Sequence, residues 1–183
     1  MKLEKEKIVN CFKGSILLVT IIFTGLLWLI SFLLEINDIA YRQWFYYLIV
    51  TIVYLGFIIG IAQIAHRVKD KNIKSLIRCT LTIIISLSIP VILFFSVFGL
   101  KPEHIVEKDG KKYVVYVYAF KDVNVTYYDY INSFLRGSKR RISEGYGSGG
   151  YDPFTEEFKD YEPKTTYYYK YDSNGNRIYE NIE

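Results

Sequence analysis

The sequence predicts a membrane protein: three transmembrane α-helices followed by a small, mainly β extracytoplasmic domain. Two observations carry that expectation. Residues 1–100 contain three long uncharged apolar blocks and 10 Lys+Arg against 5 acids. Residues 101–183 contain 13 Lys+Arg, 14 acids and 14 of the chain's 18 Tyr. A division this sharp, with only two Cys, excludes a single soluble globule, a disordered tail protein and a disulfide-stapled secreted scaffold.

Crossing a bilayer core of about 30 Å takes roughly 20 helical residues. Residues 14–34, 45–65 and 79–100 reach that length without an Asp, Glu, Lys, Arg or His. A charge at mid-membrane costs at least about 2.5 kcal/mol, so its absence is what lipid requires. The first block exceeds the roughly 7–15-residue core of a signal peptide and lacks an A-x-A-like cleavage site near residues 31–35. It reads as a retained anchor.

Flanking cations set the orientation. Lys2, Lys5, Lys7 and Lys13 precede the first block, and Arg67, Lys69, Lys71, Lys74 and Arg78 separate the second from the third. The first connection, residues 35–44, carries only Arg42 beside Glu35 and Asp38. Basic segments near spans stay cytoplasmic. The expected organisation is a cytoplasmic tail at 1–13, a three-helix membrane region at 14–100, and an extracytoplasmic domain at 101–183. This is a multi-pass protein of the cell membrane with its N-terminus inside and its C-terminus outside. The run Arg136–Arg141 lies beyond the roughly 15–20-residue zone that governs insertion.

Within the spans, Gly56 and Gly60 form a GxxxG pair that lets helix backbones approach closely. The alternatives are homo-oligomerisation through the second span and packing against another span of the same chain. The second is favoured, because such pairs are common in membrane helices. Pro90 lies midway along the third block, where it removes a backbone donor and is expected to kink the helix. Trp44, Tyr46 and Tyr47 fit an aromatic belt at the outer interface. The spans lack the ionisable groups of a transport path, so a pore would have to come from several chains. Cys11 and Cys79 fall at the cytoplasmic edge, where thiols stay reduced.

From residue 101 onward, short runs of Val, Tyr and Thr read as strands. Residues 104–108 and 111–120 flank Asp109-Gly110, which suits the positive φ of a type I′ turn. In residues 113–120 both faces are apolar, Val114, Tyr116, Tyr118 and Phe120 on one and Tyr113, Val115, Val117 and Ala119 on the other, as in a central strand. Residues 123–130 alternate as a half-buried strand should. Residues 131–141 fit either a short helix or an irregular loop, residues 145–152 a loop, and residues 165–171 with 177–182 a hairpin turning at Asn174-Gly175.

Three features of this half bear on chemistry. Asp172-Ser-Asn-Gly-Asn176 partly copies a calcium-binding EF-hand loop, but Arg177 stands where the loop needs Gly. The stretch from Tyr169 to Arg177 also resembles a single copy of the YD repeat of large bacterial surface and toxin shells, which use many copies. The basic residues Arg136, Lys139, Arg140 and Arg141 read as an exposed, solvated loop, with contact to anionic headgroups or wall polymers as the alternative. Tyr167, Tyr169 and Tyr171 alternate onto one face with Tyr168 opposite, forming either core or a contact surface.

No nucleophile–base pair, phosphate loop or HExxH motif occurs. His66 and His104 are expected on opposite sides of the membrane. The expectation is therefore a non-enzyme with no metal or cofactor and no nucleic-acid partner. Residues 109–117, 125–132 and 145–154, with their Tyr-Tyr-Asp-Tyr and Gly-Gly-Tyr-Asp-Pro-Phe elements, resemble uncharacterised small membrane proteins of low-GC Gram-positive bacteria. The likeness spans roughly residues 104–154 and implies no activity or ligand. The functional expectation is display of the β-domain to a protein, peptide or envelope partner, in an immunity or accessory role among others. The alternative is an oligomeric pore or transporter subunit with an extracytoplasmic cap.

Overall fold

The structure is a computed structural model that describes residues 16–99, 101–172 and 177–182. The lysine-bearing tail with Cys11, the first two residues of the first apolar block, the Asn174-Gly175 turn within the calcium-loop-like segment, and Glu183 lie outside the described residues.

Three helices carry the apolar blocks: α1 (Ile16–Ile36), α2 (Gln43–Arg67) and α3 (Lys71–Phe98). All three are long and apolar enough to cross a membrane. Their large side chains point away from the protein on nearly every face, with Trp28, Leu76 and Leu87 at 70%, 67% and 65% exposure. Water penalises such apolar surface at about 25 cal/mol per Å², whereas a hydrocarbon solvent does not.

The third helix starts at Lys71 instead of residue 79, and the connection expected over residues 66–78 shrinks to residues 68–70. A cap explains the early start. Asp70 Oδ1 accepts the N–H groups of Asn72 at 2.8 Å and Ile73 at 3.1 Å, satisfying donors that a helix start leaves open. The polar opening turns of α3 need no lipid to be helical.

The helices pack through small and hydroxylated residues. A Cβ at Gly60 would lie 2.6 Å from the backbone nitrogen of Leu17, and one at Gly56 2.6 Å from Thr20 Oγ1. The glycine pair is thus covered by α1 of the same chain. Nearby, Gln63 Oε1 accepts the Ile16 N–H at 3.0 Å. The second and third helices meet through the Tyr54 and Ser88 hydroxyls at 2.5 Å and through Tyr47 Oη donating to the Gly99 carbonyl at 3.4 Å. Pro90 lies inside α3, which continues to Phe98.

The second compact unit comprises Leu34–Gln43 and Leu100–Glu183. Its strands are β1 (Ile39–Tyr41), β2 (Glu103–Lys108), β3 (Lys111–Tyr118), β4 (Asp122–Tyr130), β5 (Leu135–Ser148), β6 (Thr165–Tyr171) and β7 (Arg177–Ile182). Strands β2 to β7 form one antiparallel meander in chain order, and β1 pairs with β5. The β2–β3 turn is built as its residues require, with φ of 52° at Asp109 and 72° at Gly110. One face of β3–β5 forms the core around Tyr113, Val115, Val117, Val123, Val125, Tyr127, Ile142 and Tyr146, with Tyr151 and Phe154 packed against it.

Several expectations for this half change. Residues 131–134 form an irregular connection, but residues 135–141 are neither helix nor free loop, because Leu135–Ser148 form a 14-residue strand between β4 and β6. The same strand absorbs Gly145–Ser148, expected as loop. Glycine is required there, since a Cβ at Gly145 would meet Thr165 Oγ1 at 2.7 Å and Gly147 has φ of 90°. Phe120 contributes no strand face: β3 ends at Tyr118 and Phe120 is 89% exposed. The first connection, expected as a plain loop, supplies β1.

That strand carries a topological consequence. Ile39, Ala40 and Tyr41 register against Gly137, Arg136 and Leu135, and flanking bonds join Arg42 N to Phe134 O and Ser138 N to Asp38 O, both at 2.8 Å. The α1–α2 connection and the strands after α3 therefore share one side of any bilayer the helices cross.

Gly60→Ala is expected to destabilise the detergent-solubilised protein by about 1–3 kcal/mol, because the helices must part to admit the methyl. Gly25→Ala, whose Cβ meets nothing within 4 Å, is expected to leave the melting temperature unchanged or raised. Thermal unfolding followed by circular dichroism distinguishes the two.

Candidate functional site

Strand β5 positions the basic run opposite the tyrosines of β4 and β6. Register shifts in the β4–β5 ladder bring Arg140 opposite Tyr128 and Arg136 opposite Tyr130. The Arg136 guanidinium lies 4.0 Å from the Tyr128 ring centroid and 5.3 Å from that of Tyr116. The Arg140 guanidinium lies 5.7 Å from the Tyr169 ring. Tyr128 thus stands between the two, its ring against Arg136 and its hydroxyl bonded to Arg140.

Not all the cations of the run are alike. Lys139 Nζ pairs with Asp38 at 2.5 Å, and Arg141 Nε with Asp129 at 2.6 Å. Both also lie near the Tyr171 ring, at 5.4 and 5.9 Å, and Tyr171 Oη donates to the Arg140 carbonyl at 3.0 Å. Arg136 and Arg140 have no carboxylate partner among the described residues, and the Arg136 Nε is buried without a hydrogen bond. Burial opposes the charge on Arg140, but hydrogen bonds to Tyr169 and Tyr128 outweigh it and raise its pKa. Two half-buried guanidinium groups thus lie near phenol rings, Arg136 also donating from one Nη to the Gly137 carbonyl at 2.7 Å, and neither has a carboxylate on its remaining donors among the described residues.

The tyrosine stripe divides as the alternation of a strand dictates. Tyr168 packs against the core cluster, whereas Tyr169 and Tyr171 meet the basic run and Tyr167 is 42% exposed. Gly56, Gly60 and Pro90 belong to the helical unit.

Residues that patterning did not single out complete the surroundings. Both Arg42 Nε and Nη2 reach Glu103 Oε1, at 2.6 and 2.5 Å, and the pair is nearly buried. Glu103 Oε2 and Tyr116 Oη accept the first N–H of α2, from Gln43, at 3.2 and 3.1 Å. A carboxylate there also complements the helix dipole. On the core side, buried Glu144 accepts from Tyr127 at 2.5 Å, from Tyr146 at 3.1 Å and from Lys108. His104 Nε2 meets Asp152 Oδ2 at 2.7 Å. Apart from Tyr146–Glu144, two positions apart, these links join residues 17 to 73 positions apart, so no local motif announces them.

Comparison with family models, curated proteins and solved structures found no match.

The buried phenols give the sheet an alkaline limit. Burial raises Tyr113, Tyr116, Tyr127 and Tyr146 above the ordinary 10, Tyr116 to about 12, and the neighbouring Glu144 adds to the effect at Tyr127 and Tyr146. At Lys108 burial is outweighed by Glu144, which also raises its pKa. The folded chain holds these protons where the unfolded chain releases them. The stabilisation is complete below pH 10 and declines as pH rises from about 10 toward 12. Each late-titrating group contributes a slope of about 1.4 kcal/mol per pH unit. Absorbance at 295 nm is expected to show a fraction of tyrosines ionising only as the sheet unfolds.

Proposed function

We propose that the chain is a multi-pass protein of the cell membrane that displays the Tyr/Arg face of its sheet outside the cell to a partner presenting carboxylates or phosphates. The single observation that carries this reading is the pair Arg136 and Arg140, placed 4.0 and 5.7 Å from tyrosine ring centroids without a carboxylate of their own among the described residues. Structural cations usually find an acid within the fold, as Arg42, Lys108, Lys139 and Arg141 do. Guanidinium forks fixed on aromatic rings are pre-organised for bidentate acceptors and lose little side-chain freedom on binding. Tyr167 extends the face with exposed phenol surface.

The orientation rests on the cations flanking the spans. Residues 66–78 hold five Lys+Arg and residues 35–44 one, which favours the first connection, and with it the sheet, outside. The shared sheet supports this reading because it requires the first connection and the C-terminal strands to lie together.

Two experiments test the proposal. A phosphatase reporter fused after Glu183 is expected to be active outside the cytoplasm, and activity confined to the cytosol contradicts the orientation. Binding is measured with the full chain in nanodiscs, because strands β2–β7 alone would lack β1. Saturable capture of an anionic fraction from envelope extract is expected, with Arg140→Gln weakening it about tenfold. Capture that is absent, or equal in the variant, refutes the recognition face.

A further inference from the structure

A second feature lies in the helical unit, independent of the sheet. Between the last turns of α2 and the opening turns of α3 is a groove of about 430 Å³, lined by Ala62, Ala65, His66, Arg78, Leu81 and Thr82. The two alanines open it, since each offers only a methyl where neighbouring Ile61, Gln63 and Ile64 carry bulkier groups. Its chemistry is divided: Ala62, Ala65 and Leu81 are apolar, and His66 and Arg78 are basic.

Arg78 is the last charged side chain of α3, and no Asp, Glu, Lys, Arg or His follows it before the end of the helix. It therefore marks the depth at which the chain passes from water to hydrocarbon. A guanidinium there extends toward the headgroup layer. Among the described residues it forms no ion pair, and the nearby acid Asp70 is engaged in capping α3. Arg67, Lys71 and Lys74 carry further positive charge in the same part of the chain.

We propose that this groove is a binding site for an anionic phospholipid, with the phosphate on Arg78 and His66 and the upper acyl chain against Ala62, Ala65 and Leu81. Each part of such a ligand meets its complement. The phosphate accepts from a guanidinium fork, and the chain fills a recess already within the apolar solvent. A phosphatidylcholine of equal shape would place its trimethylammonium group in the same positive field and bind less well.

The test is native mass spectrometry of the full chain in detergent with equimolar phosphatidylglycerol and phosphatidylcholine. One phosphatidylglycerol is expected to be retained in preference. Arg78→Gln, which removes the cation, and Ala62→Phe, which fills the groove at constant charge, should each lower its occupancy at least fivefold. Lys69→Gln, outside the groove, should change it less than twofold. Helix content by circular dichroism verifies both groove variants, and either alone decides the matter if the other misfolds. Equal retention of the two lipids, a preference that survives Ala62→Phe, or an equal loss in Lys69→Gln overturns the site. Displacement by millimolar inorganic phosphate would also overturn it, assigning the cations to a free anion instead of a lipid.

Discussion

The pairing of Ile39–Tyr41 with residues 135–137 places the connection between two membrane-length helices inside a sheet whose other strands follow the third helix. Much else depends on that pairing. In any bilayer that the helices cross, it requires α2 and α3 to return the chain to the side from which α2 departed. It also brings Arg42 to Glu103 and the first N–H of α2 to Glu103 and Tyr116. A helix whose first donor is accepted by a strand carboxylate starts at a defined residue, and the sheet unit acquires a charged, nearly buried tie. Breaking one partner of such a tie typically costs about 3–5 kcal/mol, so the loop is held by more than its short strand.

The sheet solves a problem of composition. It has no cysteine to cross-link it and few aliphatic residues beyond valine and isoleucine, yet it buries both faces of β3. Tyrosine makes this possible because one end is apolar and the other needs a partner. On one face the phenols of Tyr127 and Tyr146 converge on Glu144. On the other the rings of Tyr116, Tyr128 and Tyr169 lie against arginines. The first arrangement satisfies its acid completely within the core. The second leaves guanidinium groups with unused donors, and that difference separates a structural network from a surface suited to recognition.

What the sequence reveals and what it conceals follow from range. The three helices were legible because lipid imposes a length and forbids charge, both local properties. The Asp109-Gly110 hairpin was legible because positive φ selects its residues, and β6 with β7 because alternation persists over seven and six positions. Strand β5 was hidden. Its opening, Leu-Arg-Gly-Ser-Lys-Arg-Arg, looks like a solvated loop until Tyr128 and Asp129 of β4, Tyr169 of β6 and Asp38 of the first connection arrive from three other segments. Gly145 and Gly147 looked like turn residues, whereas the close approach of Thr165 at the first and the positive φ at the second demand them in a strand. A three-residue strand such as β1 has no pattern of its own. The early start of α3 was missed because the apolar rule marks where lipid begins, not where helix does.

Strand β1 is synthesised long before its partner. Roughly 95 residues separate Ile39–Tyr41 from residues 135–137 in the chain, which a ribosome adds in about 5–20 s. Once α2 is made, the first helical hairpin is complete while the connection still bears an unmated strand edge. Biogenesis therefore has a built-in delay, closed only when translation delivers the far half. A transcript truncated before residue 135 would release a protein whose open edge invites aggregation or proteolysis, giving quality control a simple signal of incompleteness.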